Sequence, residues 1–367
     1  MAVSRRNSQY LAIRLIFRVA ENHLAADEKF SERNIRMKKI LCGCLLVLRL
    51  GALGQAHGPI PVIFDTDIAP DYDDVGALAI LHALADTKEV SILATMSCNS
   101  FSTTAPTLSV INTYFHRANI PIGVNSTGFP DKECKQKWAQ AIIQKYPHSI
   151  HSNAEAMDAV LLYRKILSAQ PDHSVTIIST GFFSNLAHLL TSTADAYSPL
   201  SGKNLIARKV RQLVSMATRL DKDSTEGYEF NVVVDASSSK LVFEQWPTPV
   251  ILSGFEVGAD IHTGIRLIQN QEIRNSPVQD AFRIALTSDR NTQGRSSWDE
   301  TAVLAAVRGF APWFDTLRLN FRIEADGRNV VIPGRKFTCL RLRLAPDQVA
   351  HDLEELMMQQ PKSRGLR

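Results

Sequence analysis

Between residues 60 and 253 the apolar positions bunch in short runs, each followed by polar turn residues and then by a stretch with helical spacing. The first run, residues 61–64 (PVIF), reads as a buried strand. The apolar, small-residue stretch 75–84 reads as a helix packed on a sheet. Residues 90–96 (VSILATM), 120–124 (IPIGV), 175–179 (VTIIS), 210–216 and 249–253 read as further strands. Helical spacing covers residues 104–118, 154–169, the segment around 186–190, and 299–307. Such alternation predicts an α/β fold with a mostly parallel central sheet flanked by helices, an open Rossmann-like sheet. Near the C-terminus the pattern changes. Residues 318–345 alternate around Asp326-Gly327, which predicts a terminal β-hairpin. Residues 347–358 close the chain as an amphipathic helix. There is no internal repeat and no low-complexity tract.

The turn after the first strand holds Asp65, Asp67, Asp71, Asp73 and Asp74, five carboxylates within ten residues. Asp65 and Asp67 are two apart on an extended backbone and point the same way. Asp73 and Asp74 fall where the helix begins, and a helix N-terminus favours negative charge. Mutual repulsion raises carboxylate pKa values unless a cation offsets it. An all-oxygen set of this kind suits a hard cation, Ca2+ or Mg2+. The plainer alternative is a solvated acidic loop with Asp74 as a helix cap.

In open α/β sheets ligands sit at the carboxyl ends of the strands. The polar residues that follow each strand are therefore the candidates. They are the aspartates, then Ser97-Cys98-Asn99, Thr180-Gly181 and Met216-Ala217-Thr218, with Glu229, Asn231 and Asp299 further on. Singly each is ordinary, since an Asn after a strand is usually a turn residue. Their shared topological position sets them apart.

Composition changes this picture little, but charge does. The 367 residues, 45% hydrophobic and 21% charged, are those of an ordinary globular protein. The whole chain is +4, yet residues 1–57 hold ten Lys/Arg against four Asp/Glu, so the remainder carries −2. A body without basic excess argues against nucleic acid as a partner. Of five cysteines, Cys42 and Cys44 lie in an N-terminal apolar run. Cys98, Cys134 and Cys339 have no metal spacing, and their odd number leaves at least one free thiol.

Residues 37–57 have the form of a secretory signal, with Lys38 and Lys39, an apolar core over 40–50, and small residues near 51–56. That run is too short for a membrane span. The expectation is an exported protein, periplasmic or secreted, with Met37 as the true start. If the signal is unused, the protein is cytoplasmic with an amphipathic N-terminal helix. On this reading residues 1–57 are an extension plus signal, and residues 58–360 form a single domain.

DTDIAPDYDDVGAL resembles the signature of the inosine-uridine-preferring nucleoside hydrolases, D-T-D-P-G-x-D-D-A-x-A-L. Five residues, 68–72, separate the DxD from the DD where the usual form has three, as in a bacterial branch of nucleoside hydrolase-like proteins. Later blocks follow in family order. SILATMSCN ends in Asn99, TIISTGFFSNLAHLL carries Thr180, and LVSMATRL carries Met216. EFNVVVDASSSK carries Glu229, Asn231 and the more structural Asp235, and SSWDETAVLAA carries Asp299. The resemblance spans roughly residues 60–310, and the DxD…DD stretch is its most specific part.

The resemblance implies hydrolysis of the N-glycosidic bond of a nucleoside to free base and ribose. It implies Ca2+, with Mg2+ as the lesser choice, held by Asp67, Asp74, the Thr180 carbonyl and Asp299. Asp65 supports the ion directly or from behind. Asp67 is the implied base that takes a proton from the attacking water. Asp73, Asn99, Glu229 and Asn231 would hold ribose hydroxyls, with Met216 near the sugar. The family often forms homo-oligomers. Two departures stand out. The longer loop, with Pro70 and Asp71, either moves the DD pair or adds a ligand. Trp298 stands where many members carry a histidine that protonates the leaving base. An indole cannot do so, but it can stack on a base. Trp298 is therefore expected to line the base pocket with Phe182 or Phe183, or else to be a core residue. His82 is expected to be structural, and His262 is a loop histidine without a specific role.

Two other classes compete. A haloacid-dehalogenase-like phosphatase also opens with DxD after a strand, but Ala69 sits where it wants Thr or Val, and Asp73-Asp74 follow too soon. A non-catalytic exported protein that binds nucleosides or sugars would keep the metal without turnover.

Overall fold

The computed structural model describes residues 58–125, 130–220 and 224–362. The expectations for residues 1–57 lie outside these. Eleven strands are present among the described residues: β1 (Ile60–Thr66), β2 (Val90–Ser97), β3 (Ile122–Val124), β4 (Val175–Ser179), β5 (Val210–Met216), β6 (Glu226–Gly227), β7 (Val250–Ser253), β8 (His262–Thr263), β9 (Arg295–Ser296), β10 (Phe314–Ile323) and β11 (Asn329–Leu342). The main sheet runs β10-β11-β7-β5-β4-β1-β2-β3, with β6 beside β11. From β7 through β3 every pairing is parallel. The β10–β11 hairpin is antiparallel and joins the edge through parallel pairing of Thr338 and Cys339 with β7. Its connection carries Gly327 at φ 84°, a left-handed conformation that glycine adopts without penalty.

Strands covered on both faces read as continuous apolar runs, and β4 is buried at all five positions. One face packs the Asp73–Asp86, Thr104–Tyr114, Pro277–Ser288, Trp298–Arg308 and Pro346–Met357 helices into one apolar core. The other packs the Ala159–Ser168, Ser184–Thr191, Gly202–Lys209 and Ala236–Gln245 helices into a second. The α/β class and the parallel sheet thus agree with the sequence pattern. Cys98, Cys134 and Cys339 are all buried free thiols. No described helix is long and apolar enough to cross a membrane.

Element boundaries differ where local chemistry competes with periodicity. The helix expected over 154–169 splits, because the Asp158 carboxylate accepts from the Leu161 amide at 2.9 Å and starts a new helix there. The preceding turn, Asn153–Glu155, is a separate 3-10 piece. The helix expected over 104–118 stops at Tyr114, and His116 takes the left-handed conformation at φ 58°. A helix not among the expected elements, Pro277–Ser288, starts where the Ser276 hydroxyl accepts from the Gln279 amide and proline occupies the first turn.

The chain lays down β1, β2 and β3 in one direction, then returns to place β4 on the other side of β1. This reversal opens a crevice at the carboxyl ends of β1 and β4, the usual ligand position in such sheets.

Candidate active site

Asp65 and Thr66 end β1, and Thr180 directly follows β4. The two segments are joined by the Thr180 amide donating to the Asp65 carbonyl at 2.8 Å. Gly181 permits their close approach. A Cβ at that position would lie 2.4 Å from the Asp67 nitrogen and 2.7 Å from the Cys98 sulfur. Strand β5 ends in Met216, and Trp298 and Asp299 open the Trp298–Arg308 helix.

These segments enclose a cavity of about 210 Å³. Asp67, Asp73, Asp74, Thr180, Met216, Glu229, Asn231, Trp298 and Asp299 all line it. Carboxylate oxygens of Asp73, Asp74 and Asp299 lie within 4.8 Å of one another. The acidic turn is not a solvated loop, since Asp65, Asp67, Asp73 and Asp74 are each at most 3% exposed. Nor is Asp74 a helix cap. Tyr72 holds the cap position, and Asp74 Oδ1 accepts from the hydroxyls of Thr66 and Thr180.

Burial dominates the electrostatics. It pushes the Asp67, Asp74 and Asp299 carboxyls well above the usual carboxylate range, and neighbouring carboxylates push them further. Asp67 Oδ2 and Asp74 Oδ2 are buried with no hydrogen-bond partner among the described residues. Bare buried carboxylate oxygens are costly, although Asp67 is not one of the three carboxylates that lie within 4.8 Å of one another. A hard dication would satisfy them, and the all-oxygen donor set fits one.

Two expected site residues point elsewhere. Asp65 accepts from the Tyr163 hydroxyl at 2.8 Å and from the Asn185 amide at 3.0 Å, and it does not line the cavity. Burial lifts it to about 7. Asn99 spends its amide on the carbonyls of Asp67 (2.9 Å) and Lys132 (2.8 Å), and its oxygen accepts from backbone amides. It props the acidic turn and does not line the cavity. Glu229 caps the Phe230–Val234 helix, accepting from the amides of Asn231 and Val232, and burial lifts it to about 7. Asp235 caps the next helix through the Ser238 amide.

Arg295 is the main residue that sequence reasoning missed. Its Nε and Nη2 donate to Asp73 Oδ1 at 3.0 and 2.8 Å, and Nη2 also meets Asp71 Oδ1 at 2.8 Å. The longer loop therefore adds an ion pair at the cavity wall. The guanidinium lies 5.0 Å from the Trp298 ring and 5.2 Å from the Tyr72 ring. Trp298 stacks in turn on Phe255 at 5.2 Å, and its indole N–H donates to the Phe255 carbonyl at 2.8 Å. Arg219 lies 4.3 Å from the outer face of Phe255. Trp298 is thus one layer in a column of rings and guanidinium groups. Its cavity companions are Phe255 and Phe230, whereas Phe182 and Phe183 are buried in the core. The only early signal for Arg295 was its place three residues before Trp298. His82 is buried, bonded to Asn112 at 3.0 Å, and pushed down to about 3 by burial and Arg117. His262 is exposed on β8 and does not line the cavity.

A parallel sheet with a carboxylate cluster at its switch point, beside a cavity of small-ligand size, places the chain among the open α/β proteins, with a donor set that could hold a hard cation. Within that class the chain belongs to the inosine-uridine preferring nucleoside hydrolase family, whose model matches residues 62–351. It is 27% identical over 213 residues to the pyrimidine-specific ribonucleoside hydrolase RihA of Enterobacter sp. (strain 638), a match covering 54% of this chain and 60% of that protein. The chain thus spans about three-fifths of the length of this curated relative. Among solved structures, the fold resembles the effector protein XOO4466 (TM-score 0.64, 13% identity, 86% of this chain and 97% of that one). It also resembles the plant nucleoside hydrolase PpNRh1 (TM-score 0.60, 18% identity, 82% and 99%). Nothing in these comparisons supports a phosphatase.

Proposed function

We propose that this protein is an N-ribosyl hydrolase that splits a nucleoside into free base and ribose. The carrying observation is that Asp67 and Asp74 each keep a buried, partnerless carboxylate oxygen among the described residues and line one cavity with Asp299. Ca2+, held by Asp67, Asp74, Asp299 and the Thr180 carbonyl, would supply the positive charge that lowers the pKa of a nearby water and fixes its position. Mg2+ fits less well, because it demands a tighter octahedron. Asp67 then takes the proton as the water attacks C1′. Glu229, Asn231 and Asp73 hold the sugar hydroxyls while the ring flattens toward an oxocarbenium ion. Residues 37–57 serve as an export signal on this reading, checked by N-terminal sequencing of the mature protein.

The test is ribose release from a panel of purine and pyrimidine nucleosides, with and without chelator. Chelator-sensitive release is expected. Retained Ca2+ binding with no release from any nucleoside would instead identify a binding protein on the same scaffold. Such a reading draws on Trp298, which replaces a proton donor and has its N–H committed to Phe255.

A further inference from the structure

We propose that Arg295 activates the departing base by donating a hydrogen bond to a carbonyl oxygen on its ring. This rests on the N-ribosyl hydrolase reading above. When the C1′–N bond breaks, its electron pair stays with the base. A base that is not protonated leaves as an anion, and its charge spreads onto any ring carbonyl. Trp298 cannot protonate it, because an indole is not an acid and its one N–H is already bonded to the Phe255 carbonyl. Among the described cavity-lining residues there is no histidine.

Arg295 sits beside Trp298 in the same wall. Asp73 and Asp71 bind its Nε and Nη2, while Nη1 has no hydrogen-bond partner among the described residues. A guanidinium remains charged and donates in a fixed planar fork, so Nη1 is left to meet an oxygen that gains charge. The neighbouring Tyr72 and Trp298 rings and the two carboxylates hold the fork in place before the reaction, which is the arrangement that makes such donors effective. The balance is complete. Water oxygen bonds to C1′, its proton passes to Asp67, the electron pair goes to the base, and the base anion takes a proton from solvent.

The experiment compares inosine, adenosine and 4-nitrophenyl riboside as substrates of the wild-type protein and of Arg295→Lys and Arg295→Met. Nitrophenolate leaves unaided, so its release reports the sugar side of the site alone. Wild-type protein should cleave inosine at least about tenfold faster than adenosine. Removing the fork should lower kcat on inosine by about 10²–10³-fold, the usual loss for one such donor. Release of nitrophenolate should fall far less. Equal losses on both substrates would overturn the proposal, because they would mean that Arg295 only holds Asp71 and Asp73 in place. Adenosine cleaved as fast as inosine by the wild-type protein would overturn it even if neither variant folds. Wild-type protein that cleaves none of the three, and no nucleoside of the purine and pyrimidine panel above, would refute the hydrolase reading itself, and this inference with it.

Discussion

Asp67→Asn is expected to lower ribose release by about 10²–10⁴-fold, the range lost with a positioned base. The substitution preserves volume, so packing against Gly181 and Asn99 is retained. It also removes one buried carboxyl whose charge is held off by burial and by Asp74. The metal-free variant should therefore melt no lower than the wild-type protein at pH 7, while its stabilisation by Ca2+ shrinks. Calorimetric titration with Ca2+ beside single-turnover kinetics separates the lost base from the lost ligand. Turnover near the wild-type rate would place the base elsewhere.

The second large effect is on stability. Asp65, Asp67, Asp74, Asp299 and Glu229 all have raised folded-state pKa values. The native protein therefore binds more protons than the unfolded chain, and by linkage its stability falls as pH rises. For Asp65 the loss runs from the unfolded value of 3.8 up to about 7. Metal-free protein should melt at a lower temperature at pH 8 than at pH 5. Ca2+ should reverse this, since protons no longer compete for the ligands at the higher pH. At a hundredfold excess over Kd, a ligand specific for the native state adds about 2.7 kcal/mol. Melting curves at both pH values, with Ca2+ and with chelator, check the sign. An increment larger at pH 5 than at pH 8 would mean that these carboxyls do not bind the ion.

The sheet was legible because parallel strands buried on both faces leave short apolar runs bounded by turn residues. The same residues marked the strand ends, and with them the crevice. Asn99 shows the limit. Position after a strand says that a side chain is near the site, not which way it turns, and Asn99 turns to brace the Asp67 and Lys132 backbones. Arg295 shows the other limit. Its partners Asp71 and Asp73 lie more than 220 residues away in the chain, and no local pattern encodes that pairing. The Pro277–Ser288 helix was simply overlooked, since Ser276 and Pro277 announce it.

Cys98 sits against Gly181 and Asp65, fully enclosed, with its thiol held protonated by burial and by the carboxylates around it. Alkylating reagents need the thiolate and need access, and the buried position of Cys98 grants neither. Alkylation at this sulfur therefore requires the packing around Cys98 to open locally. Its alkylation rate would then report how often that region opens, and a ligand bound at the neighbouring cavity should slow it.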